Sequence, residues 1–152
     1  MSGSARCRSV GDVLILDVNV LTYAVNEDAQ QHSVTRGWLD SVLQTPEIVG
    51  IPWIVGLGFI RLATSPRVMS RPATPDAALR ALEGYLQLPT VVTPEPTARH
   101  FDVLRGLLLS AGTAGNLTTD AHIAALAVEY GARVATFDRD FARFDVTVVV
   151  PS

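Results

Sequence analysis

Asp17, Asp120 and Asp138 are the residues of this chain best placed to do chemistry. Asp17 ends the apolar run Val13-Leu14-Ile15-Leu16, and Asp138 ends Val134-Ala135-Thr136-Phe137. Asp120 follows Thr118 and Thr119 just inside an expected helix start. In an open parallel sheet with helices on both faces, the loops leaving the carboxyl ends of the strands gather over one crevice. Carboxylates brought together there repel by roughly 4 kcal/mol per pair at ~4 Å and an effective dielectric of ~20. A hard divalent cation among the oxygens offsets that repulsion. Carboxylates with magnesium or manganese are the apparatus of phosphoryl transfer.

Each acid also has an ordinary structural role. An aspartate after a strand is a common helix cap, and one in a first helical turn is favoured by the helix dipole. Asp140, two residues beyond Asp138 in FDRDF, could reach a metal or cap the turn toward Phe141. Asn19 could orient Asp17 as an outer partner or cap the first helix. Thr119 and Asn116 are further candidates to hydrogen-bond near Asp120. The three histidines are read as structural: Asp120 and His122 diverge on a helix, and His32 and His100 have no partner at metal spacing. No GxSxG elbow supports a serine hydrolase. Trp38 and Trp53 suit helical core or interface faces better than base stacking.

The elements that must position these residues alternate between strand and helix with short connections, which predicts an α/β domain with a mostly parallel sheet. Strands are expected at Val13 to Leu16, Ile48-Val49, Thr90 to Val92, Val134 to Thr136 and Val146 to Val150. Helices are expected from about Asn19, from Gln30 to Gln44, and from Trp53 to Ala63. Val34, Trp38, Leu39 and Val42 mark the second of these, while the third is apolar nearly all round and so reads as buried or as an interface helix. Thr74-Pro75 predicts a capped helix through Leu88 with Leu79, Leu82 and Leu86 inward. A helix from Pro96 to Leu109 places Phe101, Leu104 and Leu108 on one side. The Asp120 helix carries a stripe of Ile123, Ala124, Ala127 and Val128, and Gly131 is its stop.

At 152 residues the chain predicts one domain, residues 13–152, behind a flexible leader at residues 1–12. It is 48% hydrophobic and 18% charged, globular and more apolar than average, which leaves room for a large buried interface. No apolar stretch is long enough to span a bilayer, and the leader has no apolar signal region. Cys7 is the only cysteine, so no disulfide framework is available, in keeping with a reducing cytoplasm. All 12 basic residues are arginine. Without lysine there is no P-loop and no Schiff-base chemistry. Phospho-aspartate enzymes, which LDVNV brings to mind, are disfavoured for the same reason. The net charge of -3 argues against a general nucleic-acid coat. It leaves a nuclease open, with Arg61, Arg67 and Arg71 near one another in sequence, as are Arg139 and Arg143.

Four stretches carry a resemblance: LDVNVLTYA at Asp17, FIRLATSPRV at Arg61, LTTDAHIAALAVEYGA at Asp120 and VATFDRDFARF at Asp138. In that order, from Leu14 to Phe144, the chain resembles a PIN domain, and within that group the VapC-type toxin ribonucleases of toxin–antitoxin pairs. The resemblance implies a single three-layer α/β/α domain around a mostly parallel sheet. It implies an endoribonuclease that binds Mg²⁺ or Mn²⁺ through Asp17, Asp120 and Asp138, with Asp140 as a further acid near the site. Asn19 and Thr119 would support these acids, and Arg61 and Arg139 would position RNA. The implied partners are RNA, a small VapB-type antitoxin and a second copy of the chain. Many family members carry a glutamate just before the Phe59 position. Here Gly58 stands in its place, so one acid of the usual four is missing.

Two rival readings follow. In one, partner binding dominates and catalysis is weak or lost, as Gly58 and the apolar Trp53-to-Ala63 helix suggest. In the other, the domain is a PIN-like nuclease acting on DNA or in RNA processing, for which no added nucleic-acid module is in evidence.

Overall fold

Val13–Leu16 packs four apolar residues into a strand, β1, whose last three are buried, and this strand is the axis of the molecule. The computed structural model describes residues 13–152. The expected leader at residues 1–12, with Cys7, lies outside the described residues. β1 pairs in parallel with β2 (Ile48–Gly50) on one side and with β4 (Arg133–Ala135) on the other. β3 (Val91–Val92) extends the sheet beyond β2, and β5 (Val148–Val149) extends it beyond β4. The order is β3-β2-β1-β4-β5, and every pair is parallel. Parallel strands need crossovers, which helices supply, and helices on both faces bury the sheet. The parallel α/β sheet expected from the alternation is therefore present, in the three-layer α/β/α form that the resemblance implied.

Among the described residues the six α-helices are α1 (Val18–Val25), α2 (His32–Leu43), α3 (Trp53–Ala63), α4 (Pro75–Leu86), α5 (His100–Ala111) and α6 (Thr118–Tyr130). Local chemistry explains several ends. The Thr74 hydroxyl accepts a 3.1 Å hydrogen bond from the Ala77 amide, with Pro75 in the first turn. Gly112 and Gly131 close α5 and α6 with φ of 75° and 59°, a left-handed conformation that only glycine adopts without strain. α6 is the most enclosed helix, burying Ala121 and the run Ile123 to Ala127. Small alanines let it lie close against the sheet.

Several side-chain expectations change. Leu79 is 54% exposed, while Ala78 and Leu82 face the core and Leu86 is partly buried. Leu79 lies beyond the edge of a stripe centred on its neighbour. Phe101 is 65% exposed, because α5 turns Leu104, Leu107, Leu108 and Ala111 inward instead. Its ring lies under the Arg105 guanidinium, 5.0 Å from the ring centre. Val34 and Val128 are also exposed. α5 begins at His100, not Pro96, since Thr97 to Arg99 form a turn anchored elsewhere. α3 divides into two faces: Val55, Gly56, Phe59 and Ala63 are buried, whereas Trp53, Ile54 and Leu57 meet solvent. No helix among the described residues is long and apolar enough to cross a membrane.

Candidate metal centre

The chain leaves β1, crosses to β2 and β3 on one side, then returns to lay β4 against the other side of β1. The seam between β1 and β4 is thus a topological switch point, where such sheets open a crevice at the carboxyl ends of their strands. Leu16 pairs with Ala135 there, and the Asp17 amide donates to the Ala135 carbonyl at 2.9 Å. The chain continues through Asp17 on one strand and Thr136, Phe137 and Asp138 on the other. α6 crosses over into β4, so its first turn, with Asp120, lies at the same edge.

Asp17 is only 3% exposed and is held from three directions. Its Oδ1 accepts from the Val18 amide at 2.7 Å, capping α1. Its Oδ2 accepts from Thr136 Oγ1 at 2.7 Å and from Asn19 Nδ2 at 3.2 Å. Burial pushes the Asp17 carboxyl above the usual range, and the nearby Asp138 charge adds to this, while the bonds from Thr136, Val18 and Asn19 oppose it. Capping and site-building are one geometry here, because the cap fixes the carboxylate that faces the crevice.

Asp120, Asp138 and Asp140 come closer still. One carboxylate oxygen from each lies within 4.8 Å of the others, a spacing suited to a shared cation. Asp138 caps the short 3₁₀ helix at residues 139–143 by accepting from the Asp140 amide at 2.9 Å, which holds the two acids side by side. Asp120 is pushed up to about 7, first by burial and then by the charges of Asp138 and Asp17. Such crowding of acids is unfavourable in the bare protein and is relieved when a cation joins them. The donor set is all oxygen, which suits Mg²⁺ or Mn²⁺. Asp17 acts on this trio through its charge but falls outside the tightest group, its oxygens being turned to Thr136 and α1.

The supporting residues divide. Asn19 bridges Asp17, Thr136 (3.3 Å) and the Phe137 amide (3.2 Å), so it fixes β1 against β4. Thr119 lines a cleft together with Asp17, Asp120, Gly58 and Arg61. Asn116 is exposed in the 3₁₀ turn at residues 115–117. Arg61 is exposed at the cleft, Arg139 is exposed beside Asp138, and Arg71 lines a different cavity with Asn26, Glu27 and Asp28. Thr136 is the residue the pattern did not single out. It is fully buried, donates to Asp17 and accepts from the Asp138 amide at 2.9 Å. The available signal was a hydroxyl inside an otherwise apolar strand, two residues before an aspartate.

The metal-spaced group among the described residues contains no histidine, but two of the histidines meet. His32 Nδ1 donates to the Tyr23 carbonyl at 2.8 Å. His100 Nδ1 lies 2.5 Å from Glu129 Oε2, and its Nε2 lies 2.8 Å from His122 Nδ1, a chain that ties α5 to α6. Helical spacing alone did not reveal it, because the partners come from different helices.

Residues 14–146, the span that contains all of these features, match the family model of the PIN domain. The chain belongs to the PIN-domain family. Ribonuclease VapC37 of Mycobacterium tuberculosis is 43% identical to this PIN domain over 131 residues, 86% of this chain and 91% of the relative. Ribonuclease VapC43 of the same species is 39% identical over 132 residues, 87% of this chain and 90% of the relative. Among solved structures, FitAcB from Neisseria gonorrhoeae superposes with a TM-score of 0.62 at 26% identity, covering 91% of this chain and 97% of that one. VapBC2 from Rickettsia felis, bound to a DNA fragment from its promoter, superposes with a TM-score of 0.65, covering 90% and 97%. At 18% identity that likeness concerns the fold.

Proposed function

We propose that this PIN domain is a metal-dependent endoribonuclease of the VapC toxin type, restrained by a small VapB-type antitoxin. The observation that carries the reading is the convergence of Asp120, Asp138 and Asp140 within 4.8 Å beside the buried Asp17. The ribonuclease names of relatives 39–43% identical over most of the chain support RNA as the substrate.

Asp120, Asp138 and Asp140 would hold Mg²⁺ or Mn²⁺, with Asp17 completing the acidic wall. When bound, such an ion polarises a phosphodiester and lowers the pKa of an attacking water. The chain's own contribution is positional. Asp17 is fixed by Thr136 and Asn19, so the wall does not reorganise during reaction. Asp120, near 7 in the bare protein, would give up its proton on taking the ion, so metal uptake should release protons near neutral pH. Arg61 and Arg139, both exposed, would hold the RNA backbone through phosphate contacts. A homodimer fits the exposed apolar residues Phe101 and Leu109 of α5.

Purified protein should cut RNA with Mg²⁺ or Mn²⁺ and stop with EDTA. Asp17→Ala or Asp138→Ala should abolish cutting; activity equal to the unmodified protein would end the assignment.

A second reading keeps the partner and drops the enzyme. Gly58 removes one expected acid, and Trp53, Ile54 and Leu57 present an apolar face beside the site. Co-expression with the neighbouring gene's product discriminates the two. A tight complex whose freed toxin shows no metal-dependent cleavage favours the binding role.

A further inference from the structure

Gly58 does more than subtract an acid. It opens a cleft of about 250 Å³ that shares walls with the acidic site. α3 packs on α1 at Gly58, and a Cβ there would meet Val18 Cγ2 at 3.1 Å, so any side chain would press Val18 back by a few tenths of an ångström. The walls are apolar, from Val18, Ile54 and Leu57, the last 59% exposed. Asp17 and Asp120 line the same cleft, as does the exposed Arg61. Among the described residues Arg61 makes no ion pair.

This distribution suits one kind of occupant. The volume falls just below the ~300–1,000 Å³ of sites for drug-sized ligands, so it suits a group the size of a single ring system. Apolar walls favour a flat, neutral group. The unpaired, exposed guanidinium of Arg61 favours an attached phosphate. Asp17 and Asp120 in its walls put the cleft next to the bond to be cut. We propose that the Gly58 cleft seats the nucleobase of a nucleotide flanking the scissile phosphate, and that Gly58 and Val18 determine which base is accepted. This rests on the ribonuclease reading of the same site.

The test uses the full chain with Mn²⁺ and an oligoribonucleotide whose cut position has been mapped. Each nucleotide flanking the cut is replaced in turn by an abasic ribose. The unmodified protein should cut the intact RNA roughly tenfold faster than one particular abasic version, the scale of losing apolar contacts in a shaped pocket. Gly58→Leu, which fills the cleft, should bring that ratio to within about twofold. Val18→Ala, which widens it, should shift preference toward purines at that position. The ratios are internal to each protein, so partial misfolding does not mimic them, and Val18→Ala decides if Gly58→Leu does not fold. Equal cutting of intact and abasic RNAs overturns the cleft while leaving the ribonuclease standing. So does a Gly58→Leu variant that keeps its base ratio but loses co-purification with the neighbouring gene's product, which would make the cleft a peptide site. No metal-dependent cutting by the unmodified protein overturns the ribonuclease reading, and the cleft's role with it.

Discussion

Thr136 Oγ1 donates a 2.7 Å hydrogen bond to Asp17 Oδ2 across the seam between β1 and β4. The same hydroxyl accepts from the Asp138 amide, so one side chain sets the positions of two acids from different strands. Thr136→Val keeps the shape and removes the bond, leaving Asp17 Oδ2 in a buried setting with only the 3.2 Å contact to Asn19. Loss of one partner from a buried carboxylate costs about 1–3 kcal/mol. Thr136→Val should unfold at lower urea and bind Mn²⁺ more weakly, whereas Thr136→Ser should retain both properties. Urea melts and Mn²⁺ titrations on the three proteins check this.

The acids are positioned at a cost to the bare fold. Asp120 sits at about 7, well above its ordinary 3.8. Between those values the folded state holds a proton that the unfolded chain has released, so metal-free stability rises as pH falls from about 7 toward 4. In EDTA the protein should therefore melt higher at pH 5 than at pH 8. Asp120→Asn should remove most of that slope and melt above the parent at pH 8, by about 2–4 °C for each kcal/mol recovered. Added Mn²⁺ should raise the melting temperature of the parent and much less that of the variant. Such a trade between a strained site and stability is common where function is built from repulsive groups.

The sheet and most helix ends were legible because they depend on short-range rules. Apolar runs such as Val13 to Leu16, the Thr74-Pro75 cap and the Gly131 stop each carry their reason within a few residues. Asp17 and Asp138 stood out for the same reason, as polar residues closing buried strands. What could not be read depends on meetings between distant elements. Thr136 and Asp17 are 119 positions apart, and nothing local says that β4 lies beside β1. The Glu129–His100–His122 chain likewise needs the packing of α5 on α6. Inward faces were the weakest inference. Leu79 and Phe101 have helical spacing to core residues, yet a small rotation of each helix turns them outward.

Restoring the missing acid should now be harder than sequence alone implies. Gly58→Glu adds a carboxylate beside Asp17 and Asp120, which favours Mn²⁺ binding. Its Cβ, however, must push Val18 from a 3.1 Å approach. Overpacking of this kind typically costs about 1–3 kcal/mol. Gly58→Glu should bind Mn²⁺ more tightly but melt lower, and pairing it with Val18→Ala should recover part of the stability while keeping the affinity. Calorimetric Mn²⁺ titration of the single and double variants checks it; no gain in either would show that residue 58 does not address the metal.

Far from the acids, Glu129 joins two helices through opposite logic. It accepts from the Thr97 amide at 2.9 Å, from the Thr97 hydroxyl at 2.6 Å and from His100 Nδ1 at 2.5 Å. Burial alone would raise its pKa, but these bonds from Thr97 and His100 hold it below its ordinary 4.5. A carboxylate depressed in the fold stabilises above its unfolded pKa and loses that contribution as pH falls through the folded value. His122 moves the same way, since burial, and then His100, lower its pKa and make its protonation unfavourable in the fold. Glu129→Gln removes the charge and keeps the shape. His100 can answer by reversing its tautomer, with Nδ1 accepting from the new amide and Nε2–H donating to His122 Nδ1. The variant should therefore fold, yet be less stable than the parent at pH 7.5 by about 1.5–3 kcal/mol, the range for a charged hydrogen bond. That difference should shrink once the pH drops below 4.5, as the unfolded parent takes up a proton at Glu129 that the folded state still resists. Urea melts of both proteins at pH 7.5 and pH 4 measure the gap. A gap unchanged by acid would mean that Glu129 contributes through packing and not through its charge.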